Sequence, residues 1–247
     1  MTRFAAIADV HGNALALEAV LADIERMGIT DVVNLGDHVG GPLEAARTAD
    51  LLMARGFPSV RGNHDRMVVQ KSNTPLGLSD QAALAQLRPH HLDWLRAMPP
   101  TLLWRGEVLL CHGTPTSDDT YWMERVEANG SVRMAAQAEI EAEAKGCDHP
   151  VILCGHTHIP RAVRLRDGRL IVNPGSVGLP AYDHDVPRPH VMETGAPDAR
   201  YAILQKTGRH WSAALRQVVY DHEAMASMAR KAGRLDWAQG LSTGWMG

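Results

Sequence analysis

FAAIADVHGNALALEAVLADIERM, which occupies residues 4–27, is the stretch of the sequence that decides the fold. Residues 4–10 are almost continuously apolar, which predicts a short buried strand. Asn13 follows and can cap a helix over residues 14–27, whose apolar side chains recur at helical spacing until Gly28 ends it. A buried strand followed at once by an amphipathic helix is typical of an α/β fold.

The same alternation continues along the chain. Further strands are predicted at residues 32–35, 59–60, 108–111, 151–154, 161–165, 170–172, 201–205 and 211–218. Further helices are predicted at residues 43–55, 79–87, 89–97, 131–145 and 222–238. Residues 116–130 and the proline-containing residues 179–199 are expected to be loops. The first strands should therefore pair in parallel through right-handed crossovers, with residues 66–150 as a helical and loop insertion.

The composition predicts one soluble globular domain over residues 1–247, because 45% of the residues are hydrophobic and 21% are charged. A net charge of -3 gives no general attraction to nucleic acid or to an anionic membrane. Three cysteines are too few for a disulfide framework and indicate a reducing compartment. Since we see neither a targeting segment nor a membrane span, we expect a cytoplasmic protein.

Five apolar runs end in polar residues that can bind metal ions. These ends are Asp9-Val10-His11, Gly36-Asp37, Gly62-Asn63-His64-Asp65, His112-Gly113 and Gly155-His156-Thr157-His158. Each alone is typical of a turn or a core histidine, but strand ends of an open α/β sheet meet at one crevice. Mixed carboxylate, amide and imidazole donors suit Mn, Fe, Zn, Ni or Co better than Ca or Mg. Three carboxylate or amide groups and four imidazoles from these ends would already be too many for one ion, and they indicate two divalent metal ions.

The order D-x-H, G-D, G-N-H-D, H and G-H-x-H resembles the calcineurin-like metallophosphoesterase superfamily. These motifs extend from Asp9 to His158, and Asn173-Pro174-Gly175-Ser176 is similar to a segment of its bacterial small-phosphodiesterase and phosphatase branch. The resemblance implies an α/β fold with four layers, an αββα sandwich of two mixed β-sheets flanked by helices. It also implies a hydrolase that acts on phosphate esters with two divalent metal ions.

The resemblance further implies a role for each motif residue. Asp9, His11 and His158 would hold the first metal ion, Asn63, His112 and His156 the second, and Asp37 would bridge both. A hydroxide that bridges the ions would attack the phosphorus of a phosphodiester or phosphomonoester. His64 would not be a ligand but the general acid that protonates the leaving oxygen.

Other activities stay open as alternatives. Protein phosphatases and dinucleoside-polyphosphate hydrolases of this superfamily typically show G-D-x-V-D-R-G and then G-N-H-E. Here the first motif continues as His38-Val39-Gly40-Gly41-Pro42 and lacks the second acid and the arginine, which disfavours a protein phosphatase. A non-catalytic, metal-bound scaffold for protein interactions is the alternative from another class, but every ligand position and His64 are intact.

Three residues are candidates for contact with a small phosphorylated substrate, each with a plainer alternative. His38 follows the bridging carboxylate but can equally face solvent in a turn. Arg66 can hold phosphate oxygens in a bidentate contact, although a surface salt bridge is the simpler role. His184 lies in the loop over residues 179–199, which can be inert. The methionine-rich C-terminal helix can pack on the body of the protein or support a homo-oligomer.

Overall fold

The opening strand and helix form as the sequence predicts. The structure, a computed structural model, describes residues 2–70 and 75–247. In β1 (Arg3–Ile7), the residues from Phe4 onward are buried. Asn13 caps α1 (Ala14–Arg26), because its side chain accepts a 3.1 Å hydrogen bond from the backbone N–H of Ala16.

The remaining elements alternate between helices and short strands. The other helices of the described residues are α2 (Ala45–Arg55), α3 (Asn63–Val69), α4 (Leu78–Leu84), α5 (Pro89–Ala97), α6 (Gln137–Glu143), α7 (His222–Lys231) and α8 (Leu235–Thr243). The other strands are β2 (Val32–Asn34), β3 (Leu102–Trp104), β4 (Val108–Leu110), β5 (Glu124–Val126), β6 (Val132–Met134), β7 (Val151–Leu153), β8 (Arg161–Arg164), β9 (Leu170–Asn173), β10 (Tyr182–His184), β11 (His190–Met192), β12 (Ala199–Thr207) and β13 (His210–Val218).

Two mixed sheets form the centre of the fold. The first has the strand order β13-β12-β1-β2, in which β1 is parallel to β2 and antiparallel to β12. The second has the order β3-β4-β7-β9-β8, in which β4, β7 and β9 are parallel and the two edge strands are antiparallel. The parallel strands of both sheets therefore end near one another, where the predicted metal-binding motifs follow them.

The two sheets pack face to face, and helices cover their outer faces. Successive strand residues point to opposite faces, so Phe4 and Ala6 join the inner core while Ala5 and Ile7 face α1. Buried residues of the second sheet complete the inner core, among them Val108, Leu110, Val151, Leu153, Leu170 and Val172. The opposite face of that sheet packs against Ile140 of α6. This is the four-layer αββα sandwich that the resemblance implied.

The predicted helix over residues 131–145 is wrong in its first part. β5 and β6 form an antiparallel hairpin there, and only α6 is helical. The physical reason is a turn at Asn129-Gly130, in which Gly130 has a φ of 84°. Such a dipeptide between two short alternating runs favours a hairpin. The segment over residues 66–150 thus contains strands β3 to β6 as well as helices. Residues 71–74 of this segment lie outside the described residues.

The C-terminal helix also differs from the prediction. Residues 222–238 divide into α7 and α8, because the chain turns at Gly233, where φ is 76°, and α8 continues to Thr243. Both helices pack over Leu43 and Leu179 beside the motif loops. The loop over residues 179–199 contains the small hairpin β10–β11. Within the described part of the chain, no helix combines the length and the apolar character that a membrane span requires.

Candidate metal centre

The predicted ligands lie together in two groups. The first group is Asp9, His11 and His158, and the second is Asp37, His112 and His156. Within each group, one ligand atom per residue lies within 4.8 Å of the others. Asn63 joins the second group, since its Oδ1 lies 2.9 Å from Nε2 of His112.

Asp37 lies between the two groups. Its Oδ2 is 3.2 Å from Nε2 of His112 and 3.9 Å from Nε2 of His11. Asp9 also faces both sides, with Oδ1 at 3.5 Å from Nε2 of His158 and at 3.9 Å from Nε2 of His112. The two groups therefore form one continuous cluster with carboxylates in its middle.

Backbone carbonyls determine which nitrogen of three histidines faces the cluster. The Nδ1–H groups of His11, His112 and His158 donate to the carbonyl oxygens of Gly40, Leu35 and Leu179 at 2.7, 2.8 and 2.6 Å. A carbonyl oxygen can only accept, so in the neutral ring Nε2 carries the lone pair. This arrangement orients metal-binding imidazoles in many proteins.

The donor set fits metal cations. Nε2 of His11 and Nε2 of His158 are 3.1 Å apart in a buried position, where two lone pairs repel unless a cation lies beside them. Burial and the neighbouring His158 lower the pKa of His11 to about 4, so this ring is neutral at pH 7. Burial favours a lower pKa for His112. The carboxylates of Asp37 and Asp9 outweigh burial and raise the pKa of His112 to about 10. The cluster thus attracts positive charge at its centre.

The backbone is strained where the candidate ligands lie. Asp9, His11, Asp37, His156 and His158 all have φ between 50° and 70°. Among the other non-glycine residues that the structure describes, only Arg105 has a positive φ. Each such conformation costs about 1–3 kcal/mol and persists where surrounding structure holds it, which is common at functional sites.

Asp65 holds the loop of Asp37 against the start of α3. Its buried carboxylate accepts hydrogen bonds from the backbone N–H groups of Asp37, His38 and Gly62 at 2.9, 3.0 and 3.0 Å. It also accepts one from Nδ1 of His38 at 2.7 Å. A Cβ on Gly62 would collide with the carboxylate of Asp37, so this close approach requires glycine.

The segment over residues 173–178 supports the other two motif loops. Asn173 donates from its amide to the carbonyl of Gly155 at 2.7 Å. The hydroxyl of Ser176 donates to the carbonyl of Asp9 at 2.7 Å, and the N–H of Gly178 donates to the same carbonyl at 3.0 Å. These bonds connect the loop after β1 to the loop after β7, which carry the first group of ligands.

His64 lies beside the cluster without joining either group of ligands. Its backbone N–H donates to Oδ1 of Asp37 at 2.9 Å, and its Nδ1–H donates to Oδ1 of the buried Asp80 at 2.7 Å. Burial lowers the pKa of His64, but Asp37 and the hydrogen bond to Asp80 raise it to about 9. The imidazole is therefore held with Nε2 as its remaining proton donor. No sequence motif indicated Asp80.

Comparison with known proteins now identifies the family. Residues 2–194 match the model of the calcineurin-like phosphoesterase superfamily domain. The chain belongs to the calcineurin-like phosphoesterase superfamily. Membership indicates a phosphoesterase, a hydrolase of a family that uses divalent metal ions.

Relatives of this phosphoesterase cover most of its length. An uncharacterised protein of Methanocaldococcus jannaschii is 26% identical over 205 residues, which are 71% of this chain and 76% of the relative. A metallophosphoesterase from Sphaerobacter thermophilus has a similar structure, with a TM-score of 0.74, 26% identity and coverage of 98% and 99% of the two chains. A hypothetical protein from Pyrococcus horikoshii shares the fold, with a TM-score of 0.75 at 19% identity over the whole of both chains.

A cavity of about 1090 Å³ opens beside the candidate metal-binding cluster of the phosphoesterase. His64, Asp80 and His184 line it. Burial lowers the pKa of His184, so this imidazole is neutral at pH 7. Tyr121 and Tyr182 line the cavity too, with ring centroids 5.0 Å from His156 and 4.6 Å from His158 respectively, and no motif predicted Tyr182.

Two candidate substrate contacts lie elsewhere. His38 is fully buried, donates to Asp65 and packs against the ring of Trp94, so it is not among the described residues that line the cavity. Arg66 donates from Nε and Nη2 to the two carboxylate oxygens of Asp118 at 2.6 and 3.0 Å, which occupies its guanidinium. Arg66 therefore forms the simpler salt bridge. Of the three candidate substrate contacts, His184 is the one that lines the cavity.

Proposed function

We propose that this phosphoesterase holds two divalent metal ions and hydrolyses phosphodiesters or phosphomonoesters at the cluster around Asp37. The observation that carries the proposal is the convergence of buried Nε2 atoms on shared carboxylates. His11 and His158 have their Nδ1–H groups bound to carbonyls and their Nε2 atoms 3.1 Å apart, beside Asp37 and Asp9. Such an arrangement is stable when cations occupy it.

Each ion would have three ligands of its own and share a fourth. Asp9, His11 and His158 would hold one ion, Asn63, His112 and His156 would hold the other, and Asp37 would bridge both. Mn, Fe, Zn, Ni and Co suit this mixture of nitrogen and oxygen donors.

The residues around the ions would then bind the substrate and transfer a proton. When bound, two divalent ions supply Lewis acidity and lower the pKa of water at the site. His64 would donate a proton from Nε2 to the leaving oxygen, and Asp80 would keep that ring oriented through Nδ1. Asp37 would contribute twice, as the shared carboxylate and as the acceptor of the backbone N–H of His64.

The chain offers less support for the alternatives. A protein phosphatase or dinucleoside-polyphosphate hydrolase would be expected to carry the second acid and the arginine after Gly36-Asp37, which are absent from this sequence. A non-catalytic scaffold has no need of the hydrogen-bonded pair of His64 and Asp80 beside an open cavity. We therefore assign the chain to the small-phosphodiesterase and phosphatase branch.

We also propose that residues 1–247 act as one unit in the cytoplasm. The ligands come from both sheets, and the segment over residues 173–178 supports loops from the first and second halves of the chain. The three free, buried cysteines are compatible with a reducing compartment.

The test is metal-dependent hydrolysis of bis-p-nitrophenyl phosphate and p-nitrophenyl phosphate. We expect activity with Mn, Co, Ni, Zn or Fe, none after chelation, and recovery when metal is returned. Asp37→Ala should lose bound metal together with activity, whereas Asp93→Asn, an exposed change on α5, should keep both. A protein that binds two ions and hydrolyses neither compound would support the scaffold alternative instead.

A further inference from the structure

The cavity beside the metal-binding cluster is much larger than a phosphate group. Its volume of about 1090 Å³ reaches the upper end of the range of about 300–1,000 Å³ that is usual for ligand sites. Apolar side chains form much of its wall, among them Met67, Leu78, Val186 and Trp237. An organic group attached to the phosphate therefore has space and an apolar surface to contact.

The two arginines that line the cavity have their charge engaged elsewhere. Arg125 forms an ion pair from Nε to Glu139 at 3.2 Å, and it donates from Nη1 to the carbonyls of Tyr121, Trp122 and Glu124 at 2.8–3.1 Å. Arg234 donates from Nε and Nη2 to the carboxylate of Asp236, and from Nη1 to Ser79 at 3.0 Å. No other arginine or lysine lines the cavity within residues 2–70 and 75–247.

Carboxylates, by contrast, line the cavity in excess. Asp119 and Glu124 are paired, with Arg66 at 3.2 Å and Arg161 at 2.8 Å. Asp183 and Asp185 have no salt bridge to any residue that the structure describes. Both are exposed on β10 and the turn after it, at the opening of the cavity.

We propose that this cavity selects phosphate esters with a single phosphate and an organic group that carries no further negative charge, with a positively charged group preferred. The proposal rests on the proposed phosphoesterase function. The metal ions would neutralise the one phosphate that is cleaved, but a second phosphate or a carboxylate would approach Asp183 and Asp185, and no arginine or lysine among the described residues that line the cavity is left unpaired to offset them. Like charges brought together in this way oppose binding, whereas an ammonium group would be attracted.

Three p-nitrophenyl phosphodiesters test this selectivity, because they share the leaving group and differ only in charge. Their second alcohols are choline, its uncharged tert-butyl isostere and a carboxyalkyl alcohol of equal length. We expect kcat/KM to fall in that order, by about tenfold from the first compound to the last at low ionic strength and by less at high salt.

Binding without turnover provides a second readout. Phosphonates that carry the same three groups through a phosphorus–carbon bond, with no ester oxygen, cannot be hydrolysed, and calorimetry with the metal-replete protein should give dissociation constants in the same order. The double variant Asp183→Asn with Asp185→Asn should reduce the difference between the cationic and anionic compounds. The double variant Asp93→Asn with Asp148→Asn removes an equal charge from exposed positions that do not line the cavity, and it should leave the difference unchanged.

The outcomes distinguish a failure of the charge selectivity from a failure of the phosphoesterase function. If all three diesters are hydrolysed with equal kcat/KM, or the anionic one is preferred, the selectivity is refuted while the phosphoesterase function stands. The same holds if the double variant retains the full preference. If the phosphonates bind in the expected order but no diester is hydrolysed, the catalytic function fails and the charge selectivity remains.

Discussion

His64 depends on a carboxylate that lies outside every motif. Asp80, at the start of α4, is buried and accepts a 2.7 Å hydrogen bond from Nδ1–H of His64. The bond restricts the ring so that Nε2 faces the cavity, and the negative charge favours the protonated form. Asp80 is therefore a positioning residue for the proposed general acid.

Removing the acid should affect substrates according to their leaving groups. For His64→Ala we expect intact metal content and a loss of about 10²–10⁴-fold in kcat on an alkyl phosphate ester. With p-nitrophenolate, which leaves without a proton, the loss should be small. Asp80→Asn should show the same dependence with a smaller loss. Equal losses on both kinds of ester, at full metal content, would show that neither residue serves proton transfer.

At the scale of secondary structure, Asp65 joins the loop after β2 to the first turn of α3. Its carboxylate accepts four hydrogen bonds, three of them from backbone N–H groups. An amide can accept at only one of its two positions, so an asparagine here would leave buried donors without partners. This single side chain thus fixes the positions of Asp37 and Asn63 relative to each other.

We expect Asp65→Asn to lower the free energy of unfolding by about 1–3 kcal/mol, because at least one buried N–H donor loses its acceptor. Urea denaturation of the metal-free protein measures this directly. Asp93→Asn removes an exposed carboxylate that pairs with Arg96, and it should cost less than about 1 kcal/mol. Similar effects of the two substitutions would contradict the role of Asp65.

Asp23 connects α1 to the outer face of the first sheet. Its carboxylate accepts hydrogen bonds from the hydroxyl of Tyr201 at 2.7 Å and from Nε of Arg216 at 3.0 Å. Burial raises the pKa of Asp23, but the hydrogen bonds from Arg26, Tyr201 and Arg216 outweigh it and lower the pKa from 3.8 to about 2. The ionised carboxylate therefore stabilises the folded protein by about 2 kcal/mol.

The sign of this effect predicts a pH dependence. A carboxyl whose pKa is lower in the folded state contributes stability above pH 3.8, and this contribution disappears as pH falls towards 2. Asp23→Asn should therefore be less stable than the wild type at pH 7, with a difference that shrinks below pH 4. Chemical denaturation at several pH values measures it. A difference that stays constant down to pH 2 would exclude a charge effect.

The sequence predicts those elements whose apolar and polar residues follow one another directly in the chain. The buried strands β1, β4 and β7 and the ligands that follow them are contiguous in the chain, so the apolar run and its polar end are both visible. The hairpin β5–β6 is not predicted, although Asn129-Gly130 is a turn signal, because residues 131–134 lead directly into the helical pattern of α6. Asp80 could not be predicted, because only the tertiary packing of α4 brings it to His64.

At the scale of the whole molecule, the candidate site lies across the two sheets. Asp9 and His11 follow a strand of the first sheet, whereas His112 and His158 follow strands of the second. The helix α8 and the strand β10 then line the cavity beside these ligands. The inner core between the sheets holds the parallel strands in place, and so it determines the distances between ligands that are far apart in sequence.

The measurement that tests the account most directly is X-ray diffraction from crystals of the metal-loaded protein, collected at the absorption edge of manganese. We predict two anomalous peaks in each chain, with Asp37 in contact with both. One peak should contact Asp9, His11 and His158, and the other Asn63, His112 and His156. A single peak, or two peaks that do not share Asp37, would contradict the account.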